Sequence, residues 1–147
     1  MVKLIRVNDI FDIDADAYVN TVNCVGVMGK GVALAFKARY PALMTQYKRY
    51  CRNNMIMPGE LMIWRSPDKK WVFNVATKDH WRNPSRYTWV RQGLNELYKF
   101  LVNMDIKTIV IPPLGCGCGG LDWNEVWPMI HSSLNDLDME VLVIEPN

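Results

Sequence analysis

The chain has 147 residues, which is enough for one domain with a substantial hydrophobic core and leaves little room for a second domain. Half of the residues are hydrophobic, but no apolar run approaches the ~20 residues needed to span a bilayer, which favours a soluble globular protein. The formal net charge of +2 is too small to indicate a nucleic-acid binder by its overall field, so any anionic partner must be recognised locally.

Short runs rich in valine and isoleucine predict a series of β-strands. The runs are Val2–Val7, Ala17–Val22, Leu61–Trp64, Trp71–Val75, Thr108–Ile111 and Val141–Ile144. The first run follows Met1 directly and lacks the apolar stretch and small-residue cleavage site of a signal peptide, so we expect a cytoplasmic protein.

Helical patterns lie between these strands. A first helix is expected to begin near Lys30 and to end at Pro41, because proline cannot continue a helix. A second helix is predicted by apolar residues that recur at helical spacing, at Val90, Leu94, Leu97, Leu101 and Val102.

A third helix is predicted from Asp122, which has the spacing of a capping box with Glu125. Its apolar face would consist of Val126, Ile130, Leu134 and Leu137. The alternation of strands and helices predicts one α/β domain, with helices on both faces of a mixed or largely parallel sheet.

Two glycine-rich loops each follow a predicted strand. The first has glycines at 26, 29 and 31, and the second extends from Pro112 to Asp122. Glycine permits a positive φ and a close approach of the backbone, so successive N–H groups can converge on an anion. A single loop of this kind could equally be a tight turn, but two loops at strand ends predict a cleft for a diphosphate.

Neither loop matches a standard nucleotide-binding signature. The first is not G-x-G-x-x-G, and it is not a Walker A loop, because Lys30 precedes Gly31 and Val32 and no hydroxyl follows that could hold magnesium. The four cysteines are Cys24, Cys51, Cys116 and Cys118. The last two are separated by one residue, which suits neither a redox motif nor a zinc knuckle, so we expect reduced thiols and no metal or redox cofactor.

Several segments together resemble the macrodomain family, whose fold binds ADP-ribose. They are Asp9-Ile10, Asp16 to Asn23, the first glycine loop and Ile111 to Gly117, and the resemblance covers nearly the whole chain. Residues 74–82 and 119–123 are similar to the DarG type, antitoxins that remove ADP-ribose from thymidine bases in DNA modified by DarT toxins. The resemblance implies a single three-layer α/β/α macrodomain over residues 1–147, with a central mixed, largely parallel sheet of about six strands.

The resemblance also implies which residues contact the substrate. Asp9 would accept a hydrogen bond from the adenine amino group, and the backbone of Ile10 would donate one. The first glycine loop would contact the diphosphate and distal ribose, and the second would close over the diphosphate. The implied contacts are Asp9, Ile10, Asn20, Asn23, Gly29, Gly31, Val32, His80, Trp81, Arg82, Leu114, Gly115, Cys116, Gly117, Cys118 and Gly119.

Lys78 is the catalytic residue that the resemblance implies, because DarG-like macrodomains require the lysine of the Thr-Lys-x-His-Trp-Arg segment to release ADP-ribose. An amine is a nucleophile only when neutral, which burial or a neighbouring cation such as Arg82 or His80 would favour. A more distant relative, the terminal ADP-ribose glycohydrolase, pairs its lysine with an aspartate where this chain has Gly119 and Gly120. The proton donor to thymine would therefore be His80, a water or the substrate.

A run of aromatic and cationic residues follows Lys78 and suits an extruded base with its flanking phosphates in single-stranded DNA. The run consists of Trp81, Arg82, Arg86, Tyr87, Trp89 and Arg91. The alternative is that Trp89 belongs to the core face of the following helix and that the arginines are solvated. The other tryptophans are predicted to be packing residues, namely Trp64, Trp71, Trp123 and Trp127.

The sequence therefore predicts a DNA ADP-ribosyl glycohydrolase, monomeric and free of metal and cofactor, that acts on ADP-ribosylated single-stranded DNA and counteracts a DarT-type toxin. Two alternatives stay open: a non-catalytic reader that binds ADP-ribose, and a hydrolase of another linkage such as a glutamate ester or a terminal phosphate. DarG proteins usually carry a further C-terminal region that binds the toxin, so we expect this chain to be an excised domain or a free-standing version.

Overall fold

A six-stranded β-sheet forms the centre of the protein in the computed structural model, which describes residues 1–147. The strands are β1 (Val2–Ile5), β2 (Ala17–Val22), β3 (Leu61–Arg65), β4 (Trp71–Ala76), β5 (Thr108–Ile111) and β6 (Glu140–Ile144). Their spatial order is β1-β6-β5-β2-β4-β3, and every neighbouring pair is parallel except β3 with β4. The predicted mixed, largely parallel sheet is confirmed.

Four α-helices cover the two faces of the sheet. They are α1 (Gly31–Arg39), α2 (Pro41–Arg52), α3 (Tyr87–Leu101) and α4 (Trp123–Leu134). Apolar side chains of α1 and α2 pack against one face, and those of α3 and α4 pack against the other, which gives the predicted three layers. None of these helices combines the length and the apolar character that crossing a membrane requires.

Strand β2 contributes to both hydrophobic cores because successive side chains of a strand point to opposite faces. Ala17 and Val19 are buried against α3 and α4, whereas Tyr18 and Val22 are buried against α1 and α2. A strand covered on both faces needs apolar residues on both sides, and in β2 only Asn20 and Thr21 interrupt the apolar run. The four tryptophans predicted as packing residues are partly buried against one core or the other.

The sequence prediction missed α2. Pro41 was expected only to end a helix, but it occupies the first position of α2, where its missing N–H and fixed φ are tolerated. Two smaller corrections concern the ends of other elements. Strand β1 ends at Ile5 and not at Val7, and Val102 lies beyond α3 and is exposed. Leu137 lies beyond α4, although its side chain is buried in the predicted core.

The predicted capping box at the start of α4 forms only in part. The Asp122 carboxylate accepts a hydrogen bond from the Asn124 N–H at 2.9 Å, as a helix N-cap does. The Asp122 N–H, however, donates to the hydroxyl oxygen of Tyr87 at 3.1 Å, and not to Glu125. Tyr87 therefore joins the first turn of α3 to the start of α4, which is a structural contact within the run of residues predicted to meet DNA.

Candidate functional site

The carboxyl ends of five parallel strands meet at one edge of the sheet. Strand β2 leads to α1 and α2 on one face, whereas its neighbours β4 and β5 lead to α3 and α4 on the other. Such a reversal is a topological switch point, the place where open α/β sheets bind ligands. Both glycine loops follow strands that end at this point, and so does Lys78.

Lys78 lies just after β4 and is half-buried. Its Nζ donates a hydrogen bond to the backbone oxygen of Cys118 at 2.9 Å and a longer one to that of Trp81 at 3.4 Å. The side chain therefore connects the loop after β4 with the second glycine loop. The amine predicted to be catalytic lies at the junction of the predicted site's segments.

The first glycine loop is shaped by Asn23, whose side chain is buried. Its Oδ1 accepts hydrogen bonds from the N–H groups of Val25 and Val27 and from the Tyr47 hydroxyl, which lies 2.8 Å away. Its Nδ2 donates to the Val27 oxygen at 2.8 Å. Asn23 thus holds the loop together from inside, and Tyr47 of α2, which the sequence prediction missed, supports it. Only one N–H of the Asn23 amide is left for the predicted contact with the substrate.

The first loop is also joined to the loop that carries Lys78. The Cys24 N–H donates to the Asp79 oxygen at 3.1 Å, and the Cys24 thiol donates to the Lys78 oxygen at 3.4 Å. Burial is the main factor that raises the pKa of Cys24 to about 12, so this thiol stays protonated at neutral pH. Cys24 is consequently a poor nucleophile, and its contacts indicate a structural role.

The second glycine loop packs on Ser85. A Cβ on Gly119 would collide with the Ser85 hydroxyl and would lie 2.5 Å from the Gly115 oxygen, so only glycine fits there. The Ser85 N–H donates to the Gly119 oxygen at 3.0 Å. The buried Ser85 hydroxyl has no hydrogen-bond partner. The sequence prediction missed Ser85, because no motif marks a residue that packs on a loop more than 30 positions later.

The two glycine loops face one another. Gly31 begins α1 with a φ of +59°, and a Cβ there would lie 3.9 Å from the Cys118 Sγ. Cys118 is exposed, whereas Cys116 is partly buried, and burial raises the pKa of Cys116 to about 11. All four cysteines are free thiols. The two loops thus come close to each other at Gly31 and Cys118.

Asp9 lies after β1 at the same edge of the sheet and caps a short 3-10 helix, Ile10–Asp12. Its Oδ1 accepts the Phe11 N–H at 2.9 Å, and the Asp9 N–H donates to Asp12. This arrangement uses neither the second carboxylate oxygen of Asp9 nor the Ile10 N–H. Strands β1 and β4 are four intervals apart in the sheet, about 19 Å at ~4.8 Å per interval.

Asn20 does not fit the predicted contact with the substrate. It lies within β2, and its side chain has no exposed surface. Its Nδ2 donates to Oδ1 of Asn74 at 3.0 Å, and the Asn74 amide donates to the Met62 oxygen at 2.9 Å. Asn20 therefore belongs to a polar pair that links β2 to β4 inside the protein. Leu114 is fully buried as well, so neither its side chain nor its backbone is exposed to a ligand.

His80, Trp81 and Arg82 form one cluster after Lys78. The Arg82 guanidinium lies 4.6 Å from the centre of the Trp81 ring, and the His80 ring lies 5.3 Å from it. The Nδ1 of His80 accepts the Arg82 N–H, so the ring proton of a neutral His80 is on Nε2. Arg82 and His80, suggested from the sequence as cationic neighbours of Lys78, are thus engaged with Trp81.

Asp79 stabilises this cluster by accepting hydrogen bonds, and the sequence prediction missed it as well. Its Oδ1 accepts hydrogen bonds from Asn83 Nδ2 and from the His80 N–H, at 3.2 and 2.7 Å. The bond from Asn83 is the main cause that lowers the pKa of Asp79. An ionised Asp79 therefore fixes the loop on which the predicted catalytic lysine lies.

Two clefts are prominent on the surface. The larger, about 600 Å³, lies between α3 and α4 and is lined almost entirely by polar side chains; it contacts neither glycine loop. The second, about 480 Å³, borders the first glycine loop at residues 24–26. Nowhere in residues 1–147 do three or more His, Cys, Asp or Glu side chains come close enough to hold a metal ion. The groups available at the switch point are the Lys78 amine, the His80 imidazole, the exposed Cys118 thiol and backbone amides.

The Macro domain family model matches residues 19–130, which is most of the chain. The chain belongs to the macrodomain family. This macrodomain is 41% identical over 99% of its length to the DNA ADP-ribosyl glycohydrolase of Thermus aquaticus, and it spans 41% of that relative.

Two solved structures show the same fold. The macrodomain of Mycobacterium tuberculosis DarG matches with a TM-score of 0.94 and 36% identity, and the match covers 100% of this chain and 99% of that one. The Thermosipho africanus DarTG in complex with ADP-ribose matches with a TM-score of 0.89 and 28% identity, over 99% of this chain and 41% of that one. The predicted resemblance to DarG-type macrodomains is confirmed.

Proposed function

We propose that this macrodomain is a DNA ADP-ribosyl glycohydrolase that hydrolyses the bond between ADP-ribose and a thymidine base. Its likeness to the Thermus aquaticus glycohydrolase and to the Mycobacterium tuberculosis DarG macrodomain, each over nearly the whole chain, supports the proposal. The observation that carries it is the position of Lys78, whose amine lies between the loop after β4 and the second glycine loop.

In the proposed complex, ADP-ribose lies along the carboxyl edge of the sheet. The free carboxylate oxygen of Asp9 accepts a hydrogen bond from the adenine amino group, and the Ile10 N–H donates one to the adenine ring. The diphosphate lies between the two glycine loops, where backbone N–H groups and the start of α1 favour an anion. The distal ribose then reaches Lys78. The distance of about 19 Å from β1 to β4 is compatible with an elongated ligand of this kind.

The proposed reaction consumes one water molecule. The bond between the anomeric carbon of the distal ribose and the thymine nitrogen breaks, its electron pair leaves with the base, and the base takes up a proton. The oxygen of water ends on the anomeric carbon. Lys78 acts at this carbon, either as a nucleophile whose adduct is then hydrolysed or as a charge that positions the ribose. The Nε2–H of His80 is a candidate donor of the proton.

We further propose that the modified base is presented in single-stranded DNA. Trp81 exposes 44% of its surface, and Arg82 stacks on its ring. Arg86 lies similarly over Trp89, 5.0 Å from the ring centre, which favours an exposed aromatic–cation surface over the core role considered for Trp89. Exposed rings and cations of this kind suit the stacking of bases.

We also propose that the macrodomain works in the cytoplasm as a monomer and counteracts a DarT-type toxin by reversing the modification. Because the chain spans about two fifths of its curated relative, the activity of the whole relative is not transferred to it by likeness alone. We expect wild type, but not Lys78→Ala, to rescue cells that express such a toxin. Equal rescue by both proteins would contradict reversal as the means of protection.

The decisive test is release of ADP-ribose from a single-stranded oligonucleotide that carries ADP-ribosyl-thymidine. We expect turnover by wild type and by a control, Lys107→Ala, and none by Lys78→Ala. Calorimetry with free ADP-ribose should show that all three proteins bind it. Binding without turnover by wild type would overturn the proposal and would favour a reader, or a hydrolase of another linkage, which glutamate-ester and terminal-phosphate substrates would identify.

A further inference from the structure

The charges of this macrodomain are unevenly distributed along the chain. Six of its 17 Lys and Arg residues, and none of its 15 Asp and Glu residues, lie between Ala17 and Gly59. This segment forms β2, the first glycine loop, α1 and α2, and its two helices cover one face of the sheet. The six cations are Lys30, Lys37, Arg39, Lys48, Arg49 and Arg52. Positive charge is thus concentrated on the α1–α2 face.

Most of these cations have no acidic partner. Arg39 lies 4.0 Å from Asp68, and the other five are not within ion-pair distance of any carboxylate. Lys48 and Arg52 are four residues apart on α2, so their side chains project on the same side of the helix. A cation in the last helical turn, such as Arg52, also stabilises the helix dipole, but that effect does not extend to Lys48 one turn earlier.

Lys48 and Arg52 line the cleft of about 480 Å³ beside the first glycine loop. The loop contributes Cys24, Val25 and Gly26 to the same cleft. A Cβ on Gly26 would lie 3.7 Å from the Cγ of Lys48, so the helix and the loop are in close contact. The cleft therefore presents two unpaired cations next to the backbone of a loop that is proposed to bind the substrate.

The first glycine loop also connects the cleft to Lys78. Cys24 lines the cleft, and its N–H and thiol donate to the backbone oxygens of Asp79 and Lys78, respectively. A strand of DNA that leaves the modified nucleotide across this loop would meet Lys48 and Arg52 next. Cations that contact the phosphate backbone supply affinity without reading the base sequence.

We propose that the cleft formed by residues 24–26, Lys48 and Arg52 is a binding subsite for the phosphodiester backbone that flanks the modified nucleotide. This inference rests on the proposed function and specifies how the macrodomain recognises DNA beyond ADP-ribose. The subsite is separate from the surface of Trp81 and Arg82, which follows β4, and it supplies a second contact with the strand.

The test compares Lys48→Gln/Arg52→Gln with a control, Lys3→Gln/Lys107→Gln, that removes two exposed cations from other surfaces. ADP-ribose release is measured from an ADP-ribosylated single-stranded oligonucleotide and from the ADP-ribosylated nucleoside thymidine, which lacks the phosphodiester backbone of DNA. We expect the ratio of kcat/KM for the oligonucleotide to that for the nucleoside to fall roughly tenfold at low salt in the first variant only. The dependence of log kcat/KM on log salt should also become shallower by about 1.4, or ~0.7 for each lost phosphate contact.

Binding of an unmodified single-stranded oligonucleotide, measured by fluorescence anisotropy, separates failure of the subsite from failure of the proposed function. If wild type releases ADP-ribose from neither substrate, weaker oligonucleotide binding by Lys48→Gln/Arg52→Gln than by the control still supports the subsite. If the two double variants have the same substrate ratio, salt dependence and oligonucleotide affinity, the subsite is wrong whatever the catalytic result.

Discussion

The Nζ atom of Lys78 lies 2.9 Å from the backbone oxygen of Cys118, and this hydrogen bond joins the loop after β4 to the second glycine loop. The two residues are 40 positions apart in the chain. The contact means that the predicted catalytic amine and the predicted diphosphate loop are held in one arrangement. A change in either is therefore expected to affect the other.

Replacement of Lys78 by arginine tests the chemistry of the amine. A guanidinium keeps the positive charge but cannot become a neutral nucleophile, and its planar fork does not reproduce a single Nζ between two oxygens. We expect Lys78→Arg to lose at least about a thousandfold in turnover of ADP-ribosylated oligonucleotide, as Lys78→Ala does, while it still binds ADP-ribose. Turnover within tenfold of wild type would instead assign Lys78 an electrostatic role.

Tyr47→Phe is expected to destabilise the protein and to loosen the first glycine loop. The hydroxyl lies 2.8 Å from both the backbone and side-chain oxygens of Asn23, in a fully buried position. Its loss leaves the buried backbone oxygen of Asn23 without this donor, while Oδ1 keeps the N–H groups of Val25 and Val27, and we expect a cost of about 1–3 kcal/mol in the free energy of unfolding. Urea denaturation measures the change. Tyr98→Phe, which removes an exposed hydroxyl that binds Asp136, is the control and should cost less than ~0.5 kcal/mol.

Gly119→Ala should disturb the second glycine loop, because the added methyl group would overlap the Ser85 hydroxyl and the Gly115 oxygen. We expect a loss of about 1–3 kcal/mol in the free energy of unfolding and weaker binding of ADP-ribose in calorimetry. Gly117→Ala is the matched control for stability, since a Cβ there meets no protein atom within 4 Å. Equal stability of the two variants would show that the loop adjusts without cost.

Stability should depend on the ionisation of Asp68. A hydrogen bond from Ser66, followed by one from Tyr40, lowers the pKa of the Asp68 carboxyl in the folded protein. The ionised form is therefore favoured by folding, and its contribution is complete above the unfolded pKa of ~3.9 and is lost as the pH falls through the folded value. We expect Asp68→Asn to be less stable than wild type at pH 7, and the difference to shrink below about pH 4.

Thermal denaturation between pH 7 and pH 3 measures this dependence. Asp105→Asn is the control, because Asp105 is exposed and makes no ion pair. A constant difference between wild type and Asp68→Asn over the whole range would show that the hydrogen bonds of Asp68 do not depend on its charge.

The cysteines should differ in their reaction with iodoacetamide. Cys118 is exposed, whereas burial raises the pKa of Cys24 and of Cys116 to about 12 and about 11. Burial also raises the pKa of Cys51. Since the thiolate is the reactive form, we expect Cys118 to be alkylated first at pH 7.5 and the other three slowly, as mass spectrometry would resolve. ADP-ribose bound at the two glycine loops should protect Cys118, which lies close to Gly31, and Cys118→Ser should remove the fast phase.

Much of the fold was predictable because patterns of hydrophobic residues that are close together in the sequence indicate its strands and helices. All six strands follow from short runs rich in valine and isoleucine, and α3 and α4 follow from apolar residues at helical spacing, whereas α1 was predicted from the proline expected to end it. Helix α2 was missed because Pro41 predicts the end of one helix and the start of another equally well. Val102 was misplaced because a periodic pattern does not mark the residue at which a helix ends.

The features of the candidate site were likewise predictable only where they depend on neighbouring residues. The sequence by itself determined the two glycine loops, the segment that carries Lys78 and the family, since these are motifs of neighbouring residues. Only the tertiary structure decided that Lys78 donates a hydrogen bond to the Cys118 oxygen, that Asn20 is buried, and that Ser85 leaves room only for glycine at position 119. It also decided that Lys48 and Arg52 border the first glycine loop. Each of these contacts joins residues distant in sequence, so it depends on the order in which the sheet assembles its strands and not on any local pattern.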